Sequence, residues 1–178
     1  MENRIEIKKI SITDVKADAI VNAANRFLAA GGGVCGAIFS AAGMDQLSEE
    51  CARIGGCPTG EAVITSSCKL KTADYIIHAV GPDYRSGRSD CDEKLFSCYQ
   101  KALQLAVENG CMSVSFPVIS SGIFGCPAEK AWRIAISSVS DFFAKKPEHP
   151  IEVIFVGLQD SFLHLGRELL KEIRGEEQ

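Results

Sequence analysis

The chain mixes two hydrophobic periods. Arg4-Ile5-Glu6-Ile7-Lys8 alternates polar and apolar residues, the pattern of a half-exposed edge strand. Residues 17–21, 75–80, 114–119 and 151–156 are mostly apolar runs. Runs of that length fit strands covered by helices on both faces. Ala62-Val63-Ile64-Thr65 is a weaker strand, and Pro117 makes an uninterrupted central ladder at its position less secure. Helical spacing appears in three further stretches. Leu95, Cys98, Tyr99, Ala102, Leu103 and Ala106 mark one, and Ala131, Ile134, Ala135, Ser138, Val139 and Phe142 a second. Phe162, Leu165, Leu169, Leu170 and Ile173 mark the third. An apolar segment, 34–42, starts another helix directly after three glycines. Asn109-Gly110 stops the helix before it, while Pro127 suits the first turn of the next, with Glu129 close behind to complement the dipole. The alternation predicts a single α/β domain over 1–178, a three-layer α/β/α arrangement with a mixed, largely parallel central sheet. Residues 86–90 and 145–150 read as surface loops, and the charged tail 174–178 as frayed.

Composition narrows the function classes. Hydrophobic residues make up 46% and charged residues 24% of the 178, so a core can form without disulfide or metal staples. The net charge of −4 argues against bulk electrostatic binding of nucleic acid. It leaves room for a small anion held by backbone amides. The longest apolar runs, such as 76–80 and 153–158, fall far short of the ~20 residues that cross a bilayer, so no membrane partner is expected. The first residues contain no signal-peptide core, so a cytoplasmic monomer with its 8 Cys as thiols is the expectation. The cysteines form no CxxC and no Cys/His pairing of the structural zinc kind, and no metal or cofactor is expected.

The chemistry concentrates in two segments of the same design. In the first, a buried strand runs out to Asn25, and Gly31-Gly32-Gly33 then feeds a helix at Val34. Consecutive glycines expose N–H groups and let a ligand approach the main chain with no Cβ in the way. The helix N-terminus adds partial positive charge, so the segment suits a phosphate or diphosphate. In the second, a strand ends in Ser120-Ser121-Gly122-Ile123-Phe124-Gly125, and Pro127 opens a helix. In open α/β sheets, ligands sit beyond the carboxyl ends of the strands, where such loops gather. Each loop alone also reads as a tight strand-to-helix turn. Gly31 to Gly36 matches GxGxxG literally, but that fingerprint should follow a strand immediately, and residues 25–30 intervene.

With these residues the chain resembles the macro domains, the α/β/α modules that bind ADP-ribose. The matching segments include Val21-Asn22-Ala23-Ala24-Asn25 with the triple glycine, Thr59-Gly60-Glu61-Ala62, Ile76 to Pro82, and Ser120 to Gly125. The resemblance runs nearly the whole chain in order. It implies ADP-ribose, free or on a modified protein, across the carboxyl edge of the sheet. The diphosphate would lie between Gly31, Gly32, Gly33 and Val34 on one side and Ser120, Ser121, Gly122, Ile123 and Phe124 on the other. Asn25 would hydrogen-bond the distal ribose, with Phe124 packed beside it and Asn22 bracing the loop. The nearest subgroup removes mono-ADP-ribose from acidic side chains or deacetylates O-acetyl-ADP-ribose, and its catalytic positions map to Asn25, Gly32 and Cys35. The alternative within the family is a non-catalytic reader of ADP-ribosylated proteins.

Three departures from the pattern matter. Cys35 and Phe39 stand where the hydrolytic subgroup usually has Asp and His. A thiol cannot replace a carboxylate base unless its pKa is well depressed. Some viral macro domains lacking the acid still hydrolyse, with the substrate's own phosphate positioning the water. Ser11, followed by Ile12, aligns with the family's adenine-binding Asp and can accept one hydrogen bond without bringing charge. Leu158 aligns with the adenine-stacking aromatic and leaves apolar contact without a ring. Among other candidates, His78 reads as a core histidine and Trp132 as helix packing, while His149 and His164 have no triad partner nearby in sequence. Asp74 and Asp83 read as turn or cap residues.

Overall fold

Parallel strands with apolar runs on both faces need a helical layer on each side. A computed structural model, which describes residues 1–175, shows that arrangement. The elements run β1 (Arg4–Lys9), β2 (Ala19–Ala24), α1 (Gly33–Ala42), α2 (Met44–Ile54), β3 (Ala62–Ser66), β4 (Tyr75–Val80), a 3₁₀ turn (Tyr84–Ser86), α3 (Cys91–Glu108), β5 (Ser113–Phe116), α4 (Ala128–Lys145), β6 (Glu152–Gly157) and α5 (Asp160–Arg174). The sheet order is β1-β6-β5-β2-β4-β3, with every neighbouring pair parallel except β3 against β4. Side chains alternate between two cores. Val153, Phe155, Val114 and Phe116 pack with Leu95, Tyr99, Trp132 and Leu163 of α3, α4 and α5. Ile154, Val156, Ile20 and Ile76 pack with Ile38, Phe39 and Leu47 of α1 and α2.

Several boundaries differ from the sequence reading. β2 starts two residues later than expected and runs on through Asn22 to Ala24. β5 stops at Phe116, because Pro117 has no N–H to continue the ladder. Pro127 caps α4 rather than occupying its first turn. α2 was not expected: only Leu47 and Cys51 of its eleven residues are buried, so its apolar stripe is thin. The 86–90 loop begins inside the 3₁₀ turn. Arg174 ends α5 and Gly175 caps it, while the rest of the expected frayed tail, 176–178, lies outside the described residues.

A buried polar chain crosses the α1–α2 side of the sheet. Asn22 of β2 donates from Nδ2 to His78 Nδ1 of β4 at 3.1 Å and to the Cys35 thiol of α1 at 3.7 Å. That donation leaves the proton of the His78 ring on Nε2, which faces Thr65 Oγ1 of β3 at 3.0 Å. Thr65 in turn donates to the Ser66 carbonyl at 3.0 Å. The chain links β2, β4, β3 and α1 through groups that would be costly to bury unpaired. His78 is fully buried, and desolvation pushes its pKa down to about 4, so the ring is neutral.

This burial generates a pH dependence. The unfolded ring, near 6.5, binds a proton that the folded ring refuses until about pH 4. The contribution to stability is therefore complete above the unfolded pKa and is lost as pH falls toward the folded one. It amounts to about 2 kcal/mol between pH 7 and pH 5. Urea unfolding at both pH values, compared between wild type and His78→Gln, should show this slope only in wild type. Equal slopes would place the titrating group elsewhere.

Candidate functional site

The site follows from where two adjacent strands send their chains. β2 and β5 lie side by side and parallel. The connection after β2 leads to α1 on one face of the sheet, and the connection after β5 leads to α4 on the other. Two neighbouring strands whose connections part in this way leave a crevice between their carboxyl ends. A trough of about 520 Å³ occupies that position. Its walls are Gly31, Gly32, Gly33, Val34 and Cys35 on one side and residues 117–124 on the other, with Val156, Gly157, Leu158, Gln159 and Phe162 closing the β6 end.

Close backbone approach shapes both walls. A Cβ at Gly36 would lie 2.6 Å from the Gly31 carbonyl oxygen, so α1 can sit under the first loop only with glycine there. A Cβ at Gly81 would lie 2.4 Å from Ile119 Cγ2 and 2.6 Å from Ser120 Oγ, so the second loop rests on the end of β4 through another glycine. Ser120 adopts φ 65° and donates from Oγ to the Pro82 carbonyl at 2.7 Å. The Ile119 N–H donates to the fully buried Tyr99 hydroxyl of α3 at 2.8 Å. These bonds hold the loop from beneath and leave its tip to the trough.

The tip offers donors. Among the described residues, the N–H groups of Gly122, Ile123 and Phe124 meet no protein acceptor, and neither do those of Gly31 and Gly32. α1 has no side-chain cap and no acidic residue in its first turn, so its leading N–H groups and dipole face outward unneutralised. Among the described residues, no Asp, Glu, Lys, Arg or His lines the trough. Its polarity is carried by backbone amides and a few neutral side chains.

Asn25 sits at the far end from Leu158 and lines the trough, but its amide is mostly committed. Oδ1 accepts from Phe27 N and Ala29 N, each at 3.1 Å, and Nδ2 donates to the Ala29 carbonyl at 2.8 Å. One Nδ2 hydrogen remains free for a ligand. Cys35 lies behind the glycine loop, buried, with its thiol 3.7 Å from the Ala29 carbonyl and from Asn22 Nδ2. Among the described residues, no histidine or carboxylate hydrogen-bonds to it. Elsewhere, burial pushes the thiols of Cys51, Cys57 and Cys111 up to about 11. All eight cysteines are free, and no cluster of three metal-ligating side chains occurs among the described residues.

Ser11 and Ile12, expected at the site, are not brought to it, while Asn22, expected to brace the loop, lies beneath it. Asn22 is buried beneath the loop, bonded to Cys35 and His78, because β2 continues past it. Ile12 is buried in the α1–α2 core. Ser11 turns its hydroxyl to Thr13, 3.0 Å from Thr13 Oγ1, in a local turn after β1. In their place the structure brings Gly81, Gln159 and Phe162. Gly81 lies in the matching segment Ile76 to Pro82 without having been assigned a role, Gln159 carries no local signal, and Phe162 reads as one more apolar position of α5. Its ring supplies an aromatic surface in the same trough lining as Leu158.

Comparison with known proteins agrees with this geometry. The family model described as the macro domain matches residues 21–135. A macro domain-containing protein of Methanosarcina mazei is 50% identical over 143 residues, covering 80% of this chain and 75% of its own. A protein of Escherichia fergusonii named O-acetyl-ADP-ribose deacetylase is 42% identical over 176 residues, 97% of this chain and 98% of its own. The Oceanobacillus iheyensis macrodomain, solved with ADP, superposes with a TM-score of 0.89 at 34% identity, covering 99% of this chain and 94% of that one. The family match, these identities and the shared six-stranded architecture lead to one conclusion: the chain belongs to the macro domain family.

Proposed function

We propose that the trough binds ADP-ribose and that the protein hydrolyses ester-linked ADP-ribose, either from acidic side chains of proteins or as O-acetyl-ADP-ribose. One observation carries this reading: two loops at the β2–β5 crevice present N–H groups without acceptors to a trough that has no charged side chain. Such a site favours a diphosphate, whose charge is met by fixed dipoles. The relatives support the rest of the ligand, since one was solved with ADP and another is named for O-acetyl-ADP-ribose. In this reading adenine lies toward Leu158, Gln159 and Phe162. The distal ribose lies toward Asn25 and Phe124.

Hydrolysis needs a water positioned for attack on the ester linkage. Without a carboxylate in the trough, that water is held by the loop amides, Asn25 and the substrate's own phosphate. A general base typically contributes about 10²- to 10⁴-fold, so turnover is slow. The absence of any Asp, Glu or His from the trough lining also favours a second reading, a non-catalytic reader of ADP-ribosylated proteins. Release of free ADP-ribose from a mono-ADP-ribosylated acidic-site substrate separates the two.

Three substitutions test the site. Gly32 has ordinary backbone angles, φ −88° and ψ −177°, and a Cβ there meets nothing within 4 Å. Gly32→Glu should therefore fold normally yet weaken ADP-ribose binding at least ~10-fold by calorimetry, because a carboxylate enters the phosphate site. Unchanged affinity would remove the diphosphate from this loop. Asn25→Ala should weaken ADP and ADP-ribose alike by releasing the 25–29 turn, with a further loss of about 1 kcal/mol for ADP-ribose alone. Identical losses would assign Asn25 to bracing only. In single-turnover assays Cys35→Ala should release ADP-ribose at nearly the wild-type rate, and Cys35→Asp should raise it where the buried shell accepts a carboxylate. Collapse of Cys35→Ala to background, with inactivation of wild type by a thiol alkylator, would make the thiol a nucleophile.

A further inference from the structure

A second cavity adjoins the trough. It measures about 590 Å³, within the ~300–1,000 Å³ range of ligand sites. It shares Asn25, Gly81 and Phe124 with the trough. The trough runs from the end of β6 past β5 to β2, and the second cavity continues over the end of β4 to the start of α3. The two form one path along the carboxyl edge of the sheet, joined at the end where the distal ribose is proposed to lie. That ribose carries the linkage to the modified group. An acetyl ester would leave almost all of this second space unfilled.

The chemistry of the second cavity differs from that of the trough. Arg26, Arg88 and Lys94 line it, with Asp83 and Asp90. Arg85 holds Asp83 at 2.8 Å, and Arg88 holds Asp90 at 3.2 Å. Among the described residues, Arg26 and Lys94 form no salt bridge with any carboxylate. The Arg26 guanidinium instead lies over the exposed Phe27 ring, 5.6 Å from its centroid. Lys94 is half-buried, with its stem packed against Gly60. On a chain with net charge −4, two cations without partners make this a local positive surface.

We propose that this cavity is an acceptor-side subsite, which holds the polypeptide segment flanking an ADP-ribosylated residue and prefers acidic neighbours through Arg26 and Lys94. The proposal rests on the reading of the trough as the ADP-ribose site. A peptide fits the mixed lining better than a second nucleotide unit. It brings separate carboxylates for the two cations and N–H donors that can face Asp83 and Asp90. A further nucleotide unit also brings hydroxyl and amino donors, but its charge is concentrated in one diphosphate, which would meet both carboxylates. Exposed Phe27 offers an apolar surface for side chains of the segment.

The test is a binding experiment without turnover. Two peptides carry ADP-ribose through the same hydrolysis-resistant linkage, one with Glu on both flanks and one with Gln. Free ADP-ribose and a linear dimer of ADP-ribose complete the set. Wild type should bind the Glu-flanked peptide about five-fold more tightly than the Gln-flanked one, the scale of two partly exposed ion pairs. The preference should shrink as salt is raised. In Arg26→Glu/Lys94→Glu it should vanish or reverse, while the affinity for free ADP-ribose stays within about two-fold of wild type. Equal affinity of wild type for the two peptides would overturn the subsite while leaving the trough in place. Tighter binding of the dimer than of the Glu-flanked peptide, lost in the double variant, would overturn it in favour of a polymer site. Failure to bind free ADP-ribose at all would sink the reading of the trough, and the subsite with it.

Discussion

The parallel pairing of β2 with β5 is the constraint on which the site depends. Both strands point their carboxyl ends the same way, yet their connections leave to opposite faces. No helix can cover the gap between them, because each helix begins on its own side. The crevice is therefore a consequence of topology before any ligand-binding residue is considered. What the local sequence adds is permission for loops to line it. Gly36 admits the Gly31 carbonyl, and Gly81 admits Ile119 and Ser120. Any Cβ at either position would push a loop away from the crevice it forms.

A trough made of backbone amides has a particular chemical character. Main-chain donors cannot be titrated, and substitution alters them only indirectly. The same design limits catalysis, since amides position and polarise but do not accept protons. Cys35 lies where acid–base chemistry would be most useful, and its contacts are those of a packed thiol beneath a loop. In the proposed hydrolysis the rate would depend on how well the walls hold water and substrate. Charged side chains gather instead in the adjoining cavity.

The support beneath the walls is polar as well as apolar. Asn22 links the thiol behind the first loop to His78, and His78 links onward to Thr65 of the edge strand β3. On the other side of the crevice, Tyr99 holds Ile119. The first loop is thus anchored to α1, β2 and β4, and the second to α3. Rigidity of this kind matters because an amide cradle binds well only when its donors are already aimed.

Much of this architecture was legible in the order of apolar runs. The period-2 edge strand and the buried runs recur as β1, β2, β4, β5 and β6, and the helical stripes as α1, α3, α4 and α5. The glycine and Ser-Gly loops were legible as anion-binding candidates because φ freedom and missing Cβ atoms are local properties. α2 was not legible, since burial of Leu47 and Cys51 alone leaves too thin a stripe to read. Asn22 was legible as a brace for the first loop, but its burial within β2 was not, since the strand boundary was placed before it. Ladder pairing with His78 on β4 carries that strand onward and turns the amide inward. Ser11 and Ile12 likewise sit in a local turn and a core that no sequence period reveals. The placing of Phe162 and Gly81 beside the loops, and the second cavity, belong to the tertiary structure. These residues lie far apart in the chain and become neighbours of the loops only through the β1-β6-β5-β2-β4-β3 order. Local sequence thus determined which segments could cradle an anion. Which residues surround that anion was decided by long-range strand pairing, because pairing alone sets which strand ends share an edge.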